Sequence, residues 1–142
     1  MIERLALAVA LALLAAAAQA APLGKTVSIG YLELAGDPRY DERPGPGDSS
    51  IAPGRPVAGA AMAVDEINLA AAASGHSFTL AKAEGDDVAG LAQRVDALAQ
   101  DGTHWFLVDA PDAVMAKLAK AERGRDVLLL NIPAADDALR GA

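Results

Sequence analysis

The segment TVSIGYLEL, Thr26–Leu34, is the strand around which we expect this 142-residue chain to fold. It is β-branched or aromatic at several positions and apolar on both faces, which is typical of a strand covered by helices on both sides of a parallel sheet. Two later runs share this character, WFLV at Trp105–Val108 and VLLLNI at Val127–Ile132. A fourth segment, Ser77–Ala83, alternates apolar and polar residues and predicts a less buried strand.

Segments of helical length separate these strands. Three helices are predicted: from Pro56 to about Ala73, over Val88–Gln100, and from Pro111 to about Arg123. Asp86 or Asp87 is expected to cap the second. The residues Asp136–Arg140 indicate the start of a further helix. Strand and helix alternate, which predicts an α/β fold of three layers, α/β/α, with a parallel sheet. Right-handed crossovers place the first strand near the middle and predict the strand order 2-1-3-4.

Burial is predicted from the spacing of apolar residues. The first helix is expected to turn one apolar face inward, comprising Val57, Ala60, Ala61, Val64, Ile67 and Ala71, with Asn68 on or near the polar side. Trp105 lies in a strand predicted to be buried, so we expect it in the core and not at a ligand site.

The first twenty residues have the layout of a secretory signal peptide. Arg4 and the free amino terminus precede an Ala/Leu run, and Ala18-Gln19-Ala20 forms a small-x-small cleavage site. The apolar run is shorter than the roughly 20 strongly apolar residues that span a membrane. We therefore expect residues 1–20 to be cleaved and residues 21–142 to fold in the periplasm. No cysteine is present for a disulfide or a lipid anchor.

The charge of the chain argues against nucleic acid as a partner. Its formal net charge is −7 at pH 7, and the sequence has no basic patch of the kind that contacts phosphates. We interpret the acidity as a contribution to solubility.

The sequence contains no complete catalytic or metal-binding motif. Gly24-Lys25-Thr26 ends like a phosphate loop, but it precedes a strand and lacks the first glycine of the motif. There is no Gly-x-Ser-x-Gly turn, and His76 and His104 have no third ligand at metal-binding spacing. We therefore expect neither an enzyme nor a bound cofactor.

The segment Ala35–Arg55 is rich in Gly, Pro, Asp and Ser and predicts a long loop. Loops of this length inside a compact domain are usually functional or disordered. This one leaves the first strand at its carboxyl end, the edge at which open α/β sheets bind ligands. Its acidic residues, Asp37, Asp41, Glu42 and Asp48, lack the spacing of a calcium loop, so we expect them to be solvated.

Asp109, at the end of the third strand, admits two further interpretations. It fits the N-cap of the following helix. It also occupies the position at which receiver domains carry a phosphorylated aspartate. Those domains need an acidic pair after the first strand, where only Glu33 is near, so that likeness is a fold-level analogy.

Several stretches together resemble the amino-terminal part of a type I periplasmic solute-binding protein, of the leucine/branched-chain amino acid-binding family of ABC transporters. They are the leader, IGYLEL in the first strand, GRPVAGAAMAVDEIN in the first helix, and the ending LLLNIPAADDALR. YLELAGDPRYDE, GRPVAGA and DDALRG are similar to the subgroup found beside pyrroloquinoline-quinone-dependent alcohol dehydrogenase systems. The resemblance covers the mature chain but only about a third of such a protein, so residues 21–142 are expected to be a truncated amino-terminal lobe.

This resemblance implies a monomeric, two-lobed protein that captures a small-molecule solute in the cleft between its lobes and delivers it to an ABC permease in the inner membrane. It also implies ligand contacts from the loop after the first strand and the turns after the third and fourth. The corresponding positions are Glu33, Tyr40, Asp109, Ala110, Ala134, Ala135 and Asp136. Family members often carry small hydroxyl residues where this chain has Asp109, and an acidic group there would repel the carboxylate of an amino acid.

A function of another class stays open. The same subgroup resemblance is compatible with a periplasmic accessory or sensor protein of a quinoprotein alcohol oxidation system. Such a protein would bind a partner or a quinone-related metabolite without any transport.

Overall fold

The computed structural model describes residues 24–41, 43–44, 50–51 and 54–133. Within these ranges the strands are, in chain order, β1 (Thr26–Leu34), β2 (Arg43–Pro44), β3 (Ser50–Ile51), β4 (Ser77–Gly85), β5 (Trp105–Asp109) and β6 (Leu128–Asn131). The α-helices are α1 (Val57–Ala71), α2 (Val88–Gln100) and α3 (Asp112–Ala121). None of these helices is long and apolar enough to cross a membrane.

The main sheet confirms the predicted architecture. Its four strands are all parallel and lie in the order β4-β1-β5-β6, so the first of them is an inner strand with the second on one side and the third and fourth on the other. The short strands β2 and β3 pair antiparallel in a separate two-stranded sheet within the long loop. The predicted α/β class and the order 2-1-3-4 are both correct.

Local sequence signals set the ends of the helices. Asp87, one of the two predicted caps, accepts a hydrogen bond from the Gly90 N–H at 2.8 Å and starts α2. Helix α1 continues into a 3-10 turn, Ala72–Ser74, and stops at Gly75, whose φ of 71° lies in the left-handed region that glycine tolerates.

One face of the sheet packs on α2 and α3 to form the apolar core. The fully or nearly buried members of this core are Leu32, Leu91, Val95, Phe106, Val108, Ala110, Met115 and Leu118. Helix α2 lies over β4 and β1 on this face. Because α2 occupies that side, α1, which also packs on β4, lies on the opposite face.

Helix α1 sits over the outer edge of the sheet, which corrects the predicted orientation of two residues. The Asn68 side chain donates to the Phe78 carbonyl at 2.9 Å and accepts from the Phe78 N–H at 2.7 Å. The N–H of the preceding residue, Ser77, donates to the Lys25 carbonyl on the β1 side of β4. Because successive residues of a strand direct their backbone groups to opposite sides, the Phe78 N–H and carbonyl point to the free edge of β4. Asn68 therefore turns inward to satisfy that edge, and Ile67, predicted to be buried, is 46% exposed.

The α1 face of the sheet is bare over β5 and β6. Trp105 and Leu128 are register partners and are 50% and 53% exposed, and Leu130 is also exposed. The prediction that Trp105 belongs to the core is wrong. Both α2 and α3 lie on the opposite face and α1 lies over β4, so no described element covers these side chains. An exposed apolar patch of this kind is typical of a contact surface.

Gly30 of the inner strand β1 provides the test of this packing. A methyl group at Gly30 would lie 2.3 Å from Cδ1 of its register partner Phe106, which is fully buried and cannot move aside. We expect Gly30→Ala to lower the free energy of unfolding by about 1–3 kcal/mol through overpacking. The measurement is urea denaturation of the purified protein.

A matched substitution in α1 serves as the control. Gly59 is exposed, and a methyl group there meets no other atom. Gly59→Ala should raise stability by about 0.5–1 kcal/mol through helix propensity alone. Equal effects of the two substitutions would show that the close contact between Gly30 and Phe106 does not exist.

Candidate functional site

Two carboxylates lie side by side at the carboxyl edge of the sheet. Glu33, near the end of β1, is the register partner of Asp109, the last residue of β5. Both are buried, 3% and 0% exposed respectively. Buried charges are costly unless cations and hydrogen-bond donors compensate them. Neighbouring side chains supply both the cations and the hydrogen-bond donors.

The first partner comes from the long loop after β1. A 3-10 turn, Pro38–Tyr40, begins with Asp37 as its cap. The Arg39 guanidinium binds the Asp37 carboxylate, with Nε 3.0 and 2.9 Å from its two oxygens, and Nη2 also reaches Asp109 Oδ1 at 2.9 Å. One arginine thus bridges two buried carboxylates and fixes the start of the loop to the strand end.

Asp109 is the point at which most of these contacts converge. It accepts hydrogen bonds from the Tyr31 hydroxyl at 3.2 Å, the Tyr40 hydroxyl at 2.8 Å and the Arg39 guanidinium. The N-cap of α3 is Pro111, with no side-chain hydrogen bond. The interpretation of Asp109 as a helix cap is therefore wrong, because its oxygens are directed at the loop.

Two basic side chains lie near Glu33, at different distances. Lys82 Nζ of β4 lies 2.7 Å from Glu33 Oε1, whereas Arg55 Nη1 lies 3.7 Å from Glu33 Oε2. Neither Arg55 Nη1 nor Glu33 Oε2 makes a hydrogen bond. Arg55 is held instead by Nη2, which donates to the Leu34 carbonyl at 3.2 Å.

The aromatic ring of Tyr40 joins the two arginines. The guanidinium carbons of Arg39 and Arg55 lie 5.3 and 4.6 Å from its centroid, within the range of cation–π attraction. We call the whole group the edge cluster; it comprises Tyr31, Glu33, Asp37, Arg39, Tyr40, Arg55, Lys82 and Asp109. Its three carboxylates and three basic side chains balance in formal charge.

The edge cluster has two layers. The side chains of Asp37 and Asp109 are fully buried and that of Glu33 is 4% exposed. The side chains of Arg39, Arg55 and Lys82 are 29%, 23% and 50% exposed. Carboxylates therefore form the inner layer, and basic groups with the half-buried Tyr40 form the layer that meets solvent.

The ionisation of the cluster is set by these contacts. Hydrogen bonds from Arg39 hold the pKa of the Asp37 carboxyl below its usual range. Burial, and then the hydrogen bond to Asp109, raises the pKa of the Tyr40 phenol to about 12. Burial and the negative charge of Asp109 also raise the pKa of Tyr31. Both phenols therefore keep their protons at neutral pH and remain donors to Asp109.

The structure brings three of the sequence-predicted site residues together. Glu33, Tyr40 and Asp109 all belong to the edge cluster. Ala110 does not, because it is fully buried in the apolar core on the other face of the sheet. The remaining predicted positions, Ala134, Ala135 and Asp136, lie outside the described residues, as does the helix predicted from Asp136.

Sequence reasoning missed Tyr31, Arg39, Arg55 and Lys82. One signal was present, because two acidic residues at the ends of buried strands require basic partners, and Arg39 and Arg55 lie in the adjoining loop. The expectation that the loop acids are solvated is wrong for Asp37, which Arg39 draws inward. It holds for the exposed Asp41, whereas Glu42 and Asp48 lie outside the described residues.

The described residues include no group of three His, Cys, Asp or Glu side chains placed to hold a metal ion. His76 and His104 are exposed and precede β4 and β5, at the opposite edge of the sheet from the edge cluster. What the cluster presents to solvent is a group of three partly exposed basic side chains and the half-buried Tyr40, next to a strand edge. Such groups recognise polar solutes by hydrogen bonding.

Comparison with known protein families, with characterised proteins and with solved structures gives no match to this chain.

Asp109→Asn tests whether one carboxylate holds the cluster together. The amide keeps the shape of the side chain but removes the charge that Arg39, Tyr31 and Tyr40 share. We expect a loss of about 2–4 kcal/mol in the free energy of unfolding, measured by chemical denaturation. Asp65→Asn, on the exposed side of α1, is the control and should change stability by less than about 0.5 kcal/mol. Similar values for the two variants would contradict a central role for Asp109.

The depressed pKa of Asp37 makes the contribution of Arg39 depend on pH. A carboxyl whose folded pKa lies below its unfolded value, about 3.9, adds stability at higher pH and loses it as the pH falls through the folded pKa. We therefore expect the stability gap between wild type and Arg39→Gln to be full at pH 7 and to narrow below about pH 4. Denaturation curves from pH 7 to 3 measure it, and a gap that stays constant or widens in acid would refute this assignment.

Proposed function

We propose that this chain is a periplasmic solute-binding component of an ABC transporter, which captures a small molecule at the carboxyl edge of its sheet for delivery to a membrane permease. The observation that carries the proposal is the edge cluster. It places a concentrated set of polar side chains at the position where open α/β sheets bind ligands.

The cluster has the rigidity that recognition needs. Binding sites work best when the groups that touch the ligand are held by a second layer of contacts. Here Arg39 is fixed by Asp37 and Asp109, and Lys82 by Glu33. These partly exposed basic side chains are thus oriented before a ligand arrives, which lowers the entropic cost of binding.

The long loop supports the same function. The first part of the loop is held at the strand ends, because Arg39 and Tyr40 both donate hydrogen bonds to Asp109. Functional sites concentrate on loops that a regular scaffold positions. The periplasmic location is proposed from the leader predicted over residues 1–20, and the transport role from the resemblance to periplasmic binding proteins.

One observation favours the second candidate, a periplasmic accessory or sensor protein of a quinoprotein alcohol oxidation system. The apolar face formed by Trp105, Leu128 and Leu130 is exposed, and a surface of this kind suits a protein partner. Deleting the gene separates the two roles, because a transport component is needed for solute uptake and an accessory component for alcohol oxidation.

The test of the primary proposal is solute binding by the purified mature chain. A library of amino acids, organic acids, alcohols, amines and sugars is screened by thermal shift, and hits are titrated by calorimetry. We expect at least one solute to raise the melting temperature of the wild type in a saturable way, and Asp109→Asn to abolish that shift while Asp65→Asn retains it. A flat response across the library would count against a solute-binding function.

Location is tested in the same expression cells. Release of the chain by osmotic shock, shortened by the length of residues 1–20, is the expected result. Retention of an uncleaved chain in the cytosol would contradict the periplasmic assignment.

A further inference from the structure

We infer that the solute recognised by the edge cluster is a small organic anion that binds through a carboxylate. The inference rests on the proposed function and specifies the chemical class of its ligand. It reverses the expectation from sequence that an acidic residue at position 109 repels a carboxylate.

The first support is the sign of the charge that a ligand meets. The three carboxylates of the cluster are at most 4% exposed, whereas the basic side chains of Arg39, Arg55 and Lys82 are 23–50% exposed. A molecule arriving at this part of the sheet edge therefore meets basic side chains before it meets the carboxylates. The carboxylates lie beneath these donors and orient them, and Asp109 has no exposed surface with which to repel an anion.

The second support is an unmet donor on Arg55. Its buried Nη1 group makes no hydrogen bond and lies 3.7 Å from Glu33 Oε2, beyond hydrogen-bonding distance. Lys82, at 2.7 Å, keeps Glu33 paired when Arg55 moves. An incoming carboxylate can thus draw Arg55 outward and satisfy its unmet donors without leaving a buried charge alone.

The third support is the match between guanidinium and carboxylate. Arg39 and Arg55 both lie close to the Tyr40 ring, so their guanidinium carbons are within about 10 Å of each other. The planar fork of an arginine binds a carboxylate through two parallel hydrogen bonds.

The backbone adds to this preference. Helices α1, α2 and α3 each follow a strand or loop at the carboxyl edge of the sheet, so their amino termini, the positive ends of the helix dipoles, lie at the same edge. Exposed acids also occur there, including Asp41, Glu84 and Asp86. Recognition of the anion therefore depends on direct contact with the arginines and not on long-range attraction to the acidic chain.

A cationic ligand fits the cluster less well. To reach Asp37 or Asp109, an amine would have to displace Arg39, which is covalently tethered to the site and makes several charge-assisted hydrogen bonds there. Such bonds are about twice as strong as neutral ones. The inner carboxylates are thus already occupied by the protein's own cation.

The experiment compares probes that share a skeleton and differ in charge. Acetate, succinate and benzoate are tested against their neutral amides, acetamide, succinamide and benzamide, and against ethylamine, putrescine and benzylamine. Binding to the mature chain is measured by thermal shift and calorimetry at low ionic strength. We expect saturable binding of at least one carboxylate, and weaker or no binding of the amide and amine of the same skeleton.

Substitutions then locate the site. Arg55→Gln should weaken carboxylate binding about tenfold or more, because a charge-assisted contact is lost. Arg123→Gln, an exposed arginine beyond α3, is the matched control and should leave the affinity unchanged. If Arg55→Gln fails to fold by circular dichroism, Arg55→Lys takes its place; it keeps the charge, loses the planar fork and should also weaken binding.

Three outcomes would overturn the inference. The first is preferential binding of an amine or an amide, and the second is the absence of any carboxylate binding. The third is a shift in melting temperature that all the anions produce equally and that Arg55→Gln leaves unchanged, because such a shift is a general salt effect. In each case the wider solute library decides separately whether the solute-binding function stands.

Discussion

The carboxylate of Asp109, buried at the carboxyl end of β5, is the charge around which the edge cluster is arranged. A fully buried negative charge must be compensated, and here the compensation comes from Tyr31 on the neighbouring strand and from Arg39 and Tyr40 in the loop. The charge therefore does more than occupy a position in the sheet. It selects one conformation for the start of a loop that could otherwise adopt many.

The two faces of the sheet solve different problems. On one face, alternate residues such as Leu32 and Phe106 pack on α2 and α3 and form a dry core. On the other, Tyr31 and Glu33 of the same strand point into a polar group that the loop closes. Strand alternation thus lets β1 contribute to the apolar core with one set of residues and to the edge cluster with the other.

Layering places the carboxylates of the edge cluster beneath its basic side chains. Glu33, Asp37 and Asp109 are hidden, and each orients a cation that remains partly in solvent. The arrangement holds the charged groups in place without leaving an unpaired charge inside.

Edges and uncovered faces follow from the connections of the chain. Helix α1 is drawn to the free edge of β4, where the Asn68 amide supplies the hydrogen bonds that a fifth strand would have made to Phe78. This position leaves β5 and β6 uncovered on the same face, with Trp105 exposed. The inward position of Asn68 and the exposure of Trp105 both result from the position of α1.

The main strands and helices, and their order, could be read from the sequence, whereas the short strands β2 and β3 could not. The bounds of β1 and α2, and a cap at Asp86 or Asp87, were predictable because they depend on periodicity and backbone preference over a few residues. The parallel order β4-β1-β5-β6 followed as well, since few connections are allowed between alternating strands and helices.

The contacts between distant residues could be seen only in the folded chain. Arg39 and Asp109 are separated by 70 positions, and nothing local to either residue specifies the other. The same holds for Asn68 and Trp105, whose environments depend on which strand a helix covers and on which it leaves bare. Periodicity fixes the face on which a side chain lies, but the partner on that face is set by distances through space, which the order of residues does not contain.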